Sequence, residues 1–543
     1  MEKCWLVNSC YSITSRGSRG ASSRGFVGCR SCNVCSILEW LCFVAKLPAF
    51  LVLVYSKRCV VLLAEVKRLE VCKFTRWSLA GVLATVVLTG CSTYRPWINP
   101  TLSDAALMSL AENDQRIRPS EVNQPVVVAV TLSGGGARAA AFGLGVLREL
   151  KATRFALEGQ ETTLLDQVFL VSGVSGGSIL AAHFAAFGDA TLTRFEPDFL
   201  LVPFEGRLIR EALWPERLYR LTSPWFGRSQ ILAQRLDELF EGRTFGDVRR
   251  RPGAPELMIT ATDLTTGAPF DFTTEQFRLI CSDLDATPLS FAVAASSAVP
   301  LVLSPVTVRN NANTCPPPLR SLPVRGQNYR SRILQSGIDS YLNAHDRPYI
   351  HLVDGGVSDN LGVRLMLDRL VASGSMSANF SEVKPGSLRR LVLVTVNSER
   401  GLSERVDSSD RVPSTTQVLE SLIFGAGARE TQVTLAMLND DLQHWRSEIV
   451  RTRGQADSPF AADAEIYVVS VSLNDVPDDK IRHSLLRVPT AFTIEATDVL
   501  DLQTAGGEAL RQSKEFMALI ESLRRITAAK QTAPGTQLPL ISN

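Results

Sequence analysis

The sequence predicts an α/β protein built around a mostly parallel sheet. Residues 125–132 form an unbroken apolar, largely β-branched run, which is typical of a strand buried on both faces of a parallel sheet. A glycine turn at 133–136 and a segment with helical apolar spacing at 137–150 follow without a gap. The same order of strand, tight turn and helix repeats over 167–187. Two successive units of this kind imply parallel strands joined by right-handed crossovers.

Later segments continue this pattern. Further strands are predicted at 256–262, 270–274, 349–353, 390–396 and 465–471, and further helices at 229–241, 287–296, 416–450 and 505–527. Residues 308–347, rich in Pro, Arg and Ser, predict a long surface insertion, either a lid or a variable loop. Because no clean linker follows residue 125, we expect one large domain over 125–400 and a mostly helical C-terminal extension over 401–543 that packs on it.

Composition and charge exclude several classes of protein. The 543 residues are 45% hydrophobic and 21% charged, which is the ordinary range for a globular protein. The net charge of +2 is unevenly distributed: residues 1–90 hold 12 Lys and Arg against 4 Asp and Glu, so residues 91–543 carry a net charge of −6. A nucleic-acid-binding protein would concentrate basic charge on its folded domain. We therefore expect no nucleic-acid partner.

Residues 73–90 are predicted to be a bacterial export signal. Lys73 and Arg76 precede a ten-residue apolar run, Leu79–Leu88, that is too short to span a bilayer. The run ends in Leu88-Thr89-Gly90-Cys91, which resembles the lipobox of bacterial lipoproteins and predicts lipidation of Cys91. The alternative is a buried helix that ends at Gly90. Residues 91–124, which are mainly polar, are then expected to be a tether.

The region before the signal predicts no folded domain. Residues 1–72 combine a Ser/Arg/Gly-rich stretch with scattered Cys and short, interrupted apolar runs. We interpret them as a mis-annotated or disordered extension, with a cytoplasmic extension or a transmembrane anchor within 37–64 as alternatives. Cys29, Cys32 and Cys35 lack a fourth ligand at a familiar spacing, so no metal site is predicted.

The motif Gly173-Val174-Ser175-Gly176-Gly177 indicates a nucleophilic serine. It has the G-x-S-x-G pattern and lies between a predicted strand and a predicted helix. A nucleophile on such a strained turn needs neighbours without Cβ atoms, because backbone segments pass close to it. The pattern alone is weak, but its position after a buried strand makes Ser175 the candidate nucleophile, with Gly173 and Gly177 completing the elbow.

The turn Gly134-Gly135-Gly136 is a candidate oxyanion hole. Its N–H groups lie at a neighbouring strand end, beside a helix N-terminus whose dipole also favours negative charge. A phosphate-binding loop is the alternative, but the G-x-x-x-x-G-K-[ST] spacing is missing. Arg138 is expected to orient this loop or to pair with a lipid phosphate, and a solvated helix residue is the equally weighted alternative.

Asp354 is the candidate base for Ser175. It follows the predicted strand 349–353 and precedes Gly355-Gly356, which places a carboxylate on a tight loop at the sheet edge. An ordinary Asp-Gly turn is the alternative.

These motifs together resemble the patatin-like phospholipase family. GGGxR, GxSxG and DGG occur in that order, and the resemblance covers about 126–396. Residues 359–362, 261–267 and 294–300 also fit the family and are interpreted as structural support for the site. The resemblance implies a three-layer α/β/α sandwich and a Ser/Asp dyad without a catalytic His. It makes Ser175 the nucleophile, Asp354 the group that takes and returns its proton, and the glycine turn the oxyanion hole.

The histidines independently favour a dyad over a triad. A Ser, Asp, His order would need a His after Asp354, which leaves only His444, on a long polar helix, and His483, in a charged loop. Neither position is typical of a triad. His183 and His351 are expected to be packed or surface residues.

The sequence thus predicts a serine acyl hydrolase that needs no cofactor and releases fatty acids from phospholipids or other lipid esters. The alternatives are an acyltransferase or small-ester esterase that uses the same acyl-enzyme, and a non-catalytic lipid-binding envelope lipoprotein. A lipidated Cys91 would attach the enzyme to a membrane. Ser92 stands where Asp marks inner-membrane retention in many lipoproteins, which favours the outer membrane of a bacterial envelope.

Overall fold

The computed structural model of the chain describes most of the sequence after Cys91. The described residues are 92–103, 124–157, 159–316, 324, 328–380, 383–399 and 410–531. The predicted signal segment, the predicted lipidation site Cys91, the Cys29-Cys32-Cys35 motif and most of the predicted tether lie outside them.

An eight-stranded mixed sheet organises the fold. The strands, including those of a separate two-stranded hairpin, are β1 (Val126–Leu132), β2 (Arg154–Leu157), β3 (Gln160–Thr163), β4 (Val168–Val174), β5 (Glu256–Asp263), β6 (Pro269–Asp271), β7 (Val306–Arg309), β8 (Tyr349–Val353), β9 (Leu388–Asn397) and β10 (Phe460–Ser472).

Helices connect and cover these strands. They are α1 (Gly136–Ala152), α2 (Gly176–Phe187), α3 (Thr191–Phe195), α4 (Phe204–Ala212), α5 (Pro215–Arg220), α6 (Arg228–Leu239), α7 (Phe245–Arg250), α8 (Thr274–Leu279), α9 (Leu289–Ser296), α10 (Tyr329–Leu342), α11 (Arg364–Ser373), α12 (Met376–Asn379), α13 (Thr415–Thr452), α14 (Asp479–Arg487), α15 (Ala496–Gln512) and α16 (Lys514–Gln531).

The sheet has the order β10-β9-β1-β4-β5-β8-β7, with β6 paired to β5. Strands β10 to β5 are parallel, and β6, β7 and β8 are antiparallel to their neighbours. Leu132, the last residue of β1, pairs with Gly173 on one side and Val396 on the other. The chain therefore leaves β1 toward β4 and later returns on its other side at β9. Such a switch point, at the carboxyl ends of parallel strands, is where α/β proteins bind ligands.

Helices pack on both faces of the sheet. Val128 belongs to a hydrophobic core that also contains Phe142 of α1 and Ile179 of α2. Its neighbour Val127, which points to the opposite face, belongs to a second core with Leu438 of α13. The predicted three-layer α/β/α sandwich around a mostly parallel sheet is confirmed.

The predicted elements near the site agree with the structure to within about three residues, and the strand 349–353 matches in full. Two predictions are corrected. The predicted helix 505–527 is two helices, α15 and α16, because the extended backbone of Ser513 ends the first one. The predicted surface insertion 308–347 contains the end of β7 and all of α10, and Tyr341 of α10 is buried with its hydroxyl 3.1 Å from Asp263 Oδ2.

Two further segments are more integrated than their sequences indicate. The C-terminal part of the chain supplies β10, which pairs in parallel with β9 over residues 465–472. Residues 92–103, within the predicted tether, pack on the folded unit: the Asn99 side chain donates to Ser282 Oγ and accepts from the Arg309 N–H at 2.7 Å. Among the described residues, no helix is long and apolar enough to cross a membrane.

Candidate active site

Ser175 lies on a sharp turn between β4 and α2. Its backbone has φ 49° and ψ −122°, a strained combination for a residue with a Cβ atom. The turn fits only because glycines flank it: a Cβ on Gly173 would lie 2.6 Å from Ser178 Cα, and one on Gly177 would lie 2.4 Å from the Leu132 carbonyl oxygen. The predicted elbow is therefore present, with Ser175 at the N-terminus of α2.

Ser175 and Asp354 form a direct hydrogen bond. Ser175 Oγ donates to Asp354 Oδ2 at 2.8 Å, and the two residues are only 8% and 7% exposed. The Gly356 N–H donates to the other carboxylate oxygen, Oδ1, at 2.8 Å. One carboxylate oxygen is thus held by the loop backbone while the other faces the serine.

The Asp354 loop is anchored by two segments that sequence patterns had marked as support. The Asp354 N–H donates to the Ala298 carbonyl at 3.0 Å, and Thr262 Oγ1 donates to the Asp354 carbonyl at 2.8 Å. Residues 261–267 and 294–300 therefore fix the position of the carboxylate from both sides. Thr262 lies on β5 and Ala298 follows α9, so the anchors belong to the main scaffold.

Burial raises the pKa of Asp354 to about 6, although the hydrogen bonds from Ser175 and Gly356 oppose this shift. A carboxyl with this pKa is mainly ionised at neutral pH and is a stronger base than an exposed aspartate. It is suited to take a proton from a neighbouring hydroxyl.

Ser296, at the end of α9, lies in the segment 294–300 that was predicted to support the site, and it contacts the nucleophile turn directly. Its hydroxyl accepts a hydrogen bond from the Ser175 N–H at 2.8 Å and donates to the Thr260 carbonyl at 2.6 Å. It therefore links the elbow backbone to β5. No local signal separates Ser296 from its neighbour Ser297, which is also buried but has a hydroxyl without a hydrogen-bond partner in the described structure.

The glycine turn packs against the elbow, but its three N–H groups differ. The Gly134 N–H donates to the Asn360 carbonyl at 3.2 Å, so it is already engaged. Within the described chain, the N–H groups of Gly135 and Gly136 have no hydrogen-bond partner. Both residues have positive φ values, 143° and 64°. These two N–H groups are the donors that remain for an oxyanion.

Arg138 is an internal orienting residue. It is 2% exposed, which excludes the solvated alternative. Its Nε donates to the Ser398 carbonyl at 3.1 Å and its Nη1 to the Val488 carbonyl at 2.8 Å. Ser398 Oγ in turn donates to the Gly134 carbonyl at 3.1 Å. Arg138 therefore holds the loop after β9 against the glycine turn.

The histidines lie away from this hydrogen-bond network. His183 is fully buried between Phe187 and Phe195, where desolvation lowers its pKa to about 3. His351 on β8 lies beside Thr307, and His444 and His483 are exposed. The prediction that His183 and His351 are packed or surface residues is confirmed. Among the described residues, no cluster of three or more His, Cys, Asp or Glu could hold a metal ion.

Comparisons with known proteins place this geometry in a family. The family model of the patatin-like phospholipases matches residues 130–367, and no curated protein matches the chain. Among solved structures, human GIVD cytosolic phospholipase A2 is similar with 14% sequence identity and a TM-score of 0.38, covering 78% of this chain. VipD from Legionella pneumophila is similar with 12% identity and a TM-score of 0.25, covering 73% of this chain and 67% of that one.

The chain spans 63% of the length of the human phospholipase A2 chain. Both Ser175 and Asp354, with the glycine turn before them, lie inside the range that the family model matches. The α/β/α layers and the position of these residues at the carboxyl ends of β1, β4 and β8 agree with that match. Residues 130–367 therefore form a patatin-like phospholipase domain.

Proposed function

We propose that this protein is a serine lipid acyl hydrolase whose catalytic groups are Ser175 and Asp354. The observation that carries the proposal is the buried 2.8 Å hydrogen bond between Ser175 Oγ and Asp354 Oδ2, on a strained elbow inside the patatin-like domain. The pKa of Asp354, about 6, supports a basic role at neutral pH.

The reaction divides into two steps. Ser175 Oγ attacks the ester carbonyl carbon while its proton passes to Asp354, and the Gly135 and Gly136 N–H groups donate to the oxyanion. The tetrahedral intermediate then collapses, and the leaving alcohol takes the proton from Asp354. In the second step, water attacks the acyl-enzyme and gives a proton to Asp354. Collapse of this second intermediate releases the fatty acid, and Ser175 regains its proton.

The proposed location is the envelope of a bacterial cell, with a lipidated Cys91 as the membrane anchor and the outer membrane as the destination. A disulfide between Cys281 and Cys315 supports export, because such bonds persist in oxidising compartments and are rare in the cytosol. It closes a segment with a sequence separation of 34.

The test is product analysis with the purified chain. Phosphatidylcholine, phosphatidylethanolamine and a short p-nitrophenyl ester serve as substrates, and mass spectrometry identifies free fatty acids and transferred acyl groups. We expect the parent to release fatty acid and Ser175→Ala to fall to background. Ser447→Ala, which changes an exposed serine of α13 far from the site in sequence, should match the parent.

Three results would count against the proposal. Fatty-acid release that survives in Ser175→Ala would exclude this nucleophile. Transfer of the acyl group to an alcohol, in preference to water, would keep the acyl-enzyme but make the protein an acyltransferase. A folded parent that processes none of the substrates would favour a lipid-binding protein without catalysis.

A further inference from the structure

An exposed apolar surface lies on α4, α5 and the residues between and just after them. We call it the α4–α5 face, and its exposed large apolar side chains are Ile209, Leu213, Trp214, Leu218, Tyr219 and Trp225. Trp214 is 65% exposed. Large exposed apolar side chains of this kind mark interaction sites, and Trp and Tyr are enriched at membrane interfaces, where an apolar ring carries a polar group that contacts water.

The α4–α5 face is also basic, in contrast to the rest of the folded unit. Residues 204–225 contain four Arg and three Glu, a net charge of +1, whereas residues 91–543 carry a net charge of −6. Arg217 and Arg220 pair with Glu211 and Glu216. Arg207 and Arg210 are exposed and have no acidic partner in the described part of the chain. Apolar aromatic groups interleaved with free cations match the chemistry of anionic lipid headgroups over acyl chains.

The start of the described chain is fixed at this same face. The Ser92 N–H donates to Thr222 Oγ1 at 2.9 Å, and Ser223 Oγ donates to the Tyr94 carbonyl at 2.7 Å. The Arg95 guanidinium stacks on the Trp225 ring, 3.5 Å from its centroid. Because Ser92 directly follows Cys91 in sequence, a lipid on Cys91 would be covalently attached one residue from this face.

The α4–α5 face is also linked to the loop after α9 that anchors Asp354. Arg228, just beyond it, donates from Nη2 to the Leu301 carbonyl at 2.8 Å. Leu301 and Val302 are 55% and 64% exposed. Three residues before Leu301 in the same loop, the Ala298 carbonyl accepts the hydrogen bond from the Asp354 N–H. Arg228 therefore connects the end of the α4–α5 face to the segment that positions the proposed base.

We propose that the α4–α5 face, together with Leu301 and Val302, docks on the surface of an anionic phospholipid bilayer. Docking would bring the loop that carries Ala298 to the membrane, next to the site that requires a lipid ester. A second copy of the chain fits less well, since a symmetric contact would bring the unpaired Arg207 and Arg210 of both copies together. The inference rests on the proposed function for its substrate, but docking itself needs no catalysis.

The first test measures insertion without the anchor. The full chain carrying Cys91→Ser is mixed with vesicles of phosphatidylcholine and phosphatidylglycerol. The vesicles also contain a phospholipid with brominated acyl chains, and its quenching of Trp fluorescence is recorded. We expect Trp214→Phe to lose a clear part of the quenching. Trp445→Phe, which changes a Trp buried in the second core, should keep it. Equal quenching in both variants would overturn the proposal.

The second test separates docking from chemistry. In the same Cys91→Ser chain, Arg207→Gln with Arg210→Gln should weaken vesicle binding roughly 30-fold at low salt, at about 1 kcal/mol for each Arg. Leu213→Ser with Leu218→Ser should slow hydrolysis of vesicle lipid about 10-fold or more while leaving hydrolysis of a short soluble ester unchanged. The matched control is Leu500→Ser with Met517→Ser, which changes exposed apolar residues of α15 and α16.

Failure of the proposed function and failure of the docking proposal would give different results. If the parent hydrolyses neither substrate but Trp214→Phe still lowers quenching, the proposed function fails and the docking surface stands. If the Leu213→Ser, Leu218→Ser variant loses activity equally on both substrates, the face does not act by binding a membrane and the proposal is overturned. The proposal is also overturned if the parent is a dimer that this variant dissociates, because a second copy of the chain would then cover the face.

Discussion

Two regions depart from the usual distribution of residues in opposite ways. One is the site edge, where β1, β4 and β8 end beside Ser175 and Asp354, and the other is the α4–α5 face. At the site edge, Ser175, Ser296 and Asp354 are polar and buried, and each has hydrogen-bond partners. At the α4–α5 face, Leu213 and Trp214 are apolar and exposed. Buried polar groups and exposed apolar patches are the informative exceptions in a folded protein. Here one exception supplies the groups for the proposed chemistry, and the other supplies a surface for the proposed membrane contact.

The two regions also differ in how much change they tolerate. Backbone atoms of three loops meet at the site edge, so little space remains for an added atom. At the α4–α5 face, side chains extend into solvent and contribute little to packing. Substitutions should therefore alter stability and reaction rate at the site edge, and should alter binding to a surface at the α4–α5 face.

The largest expected effect comes from removing the base. Asp354→Asn keeps the size of the side chain but removes its ability to accept the Ser175 proton. It should lower kcat/KM on a soluble ester by about 10³-fold. His444→Ala and His483→Ala should change the same rate less than roughly twofold, since neither exposed ring contacts the site in the described structure. A loss in either His variant that equals that of Asp354→Asn would replace the dyad with a triad.

Two glycine-to-alanine substitutions allow a direct comparison of the stability of the two regions. A Cβ on Gly176 would lie 2.1 Å from the Gly136 carbonyl oxygen, so Gly176→Ala should lower the free energy of unfolding by about 3 kcal/mol. A Cβ on Gly206 of α4 would meet no atom within 4 Å, so Gly206→Ala should raise it by up to about 1 kcal/mol. Urea unfolding measures both. Equal stability of the two variants would show that the elbow can move away from the glycine turn.

The pH dependence follows from the raised pKa of Asp354. Its ionised form is the base, so kcat/KM should rise about tenfold per pH unit below pH 6 and level off above it. Because the folded pKa exceeds the usual value of 3.8, the buried carboxyl favours folding below pH 4, and this contribution is lost as the pH rises through 6.

Asp354→Asn is the control for the direction in which the contribution of Asp354 to folding stability changes with pH. The stability of this variant relative to the parent should increase between pH 4 and pH 6 by up to about 3 kcal/mol, because the amide does not ionise. Thermal unfolding at several pH values measures the difference. A difference that stays constant, or that decreases with pH, would contradict the raised pKa.

The smallest expected effect distinguishes two neighbouring serines. Ser296→Ala leaves the Ser175 N–H without its buried acceptor, which should cost about 1–2 kcal/mol of stability and slow the reaction roughly tenfold. Ser297→Ala removes a buried hydroxyl that has no hydrogen-bond partner in the described structure, so its stability should match or exceed that of the parent. If both variants behave alike, Ser296 does not position the elbow.

The sequence predicted the residues of the site edge because each motif follows a strand and combines glycines with a reactive side chain. Ser175 and Asp354 could be found in this way, 179 positions apart. For Arg138 the sequence left loop orientation, phosphate pairing and a solvated position open, because its acceptors, the Ser398 and Val488 carbonyls, lie 260 and 350 positions away. The engagement of the Gly134 N–H by the Asn360 carbonyl is equally invisible to local patterns.

The α4–α5 face could not be predicted for a different reason. Leu213, Trp214 and Leu218 have the composition of core residues, and only the packing of α4 and α5 leaves them exposed. The strand β10 was predicted as a strand, but its membership in the main sheet depends on pairing with β9 across the long helix α13. Both features arise from tertiary contacts between segments distant in sequence.

The parallel pairing of β10, β9 and β1 bears on how this protein can be divided into pieces. A fragment cut at the limits of the family match, 130–367, would lack β9 and β10 and would start four residues inside β1. It would leave one side of β1 with unpaired N–H and C=O groups, an edge that recruits other chains. The segment that the family model matches is thus shorter than the segment needed to complete the sheet. Fragments made for expression should therefore extend to at least the end of α16.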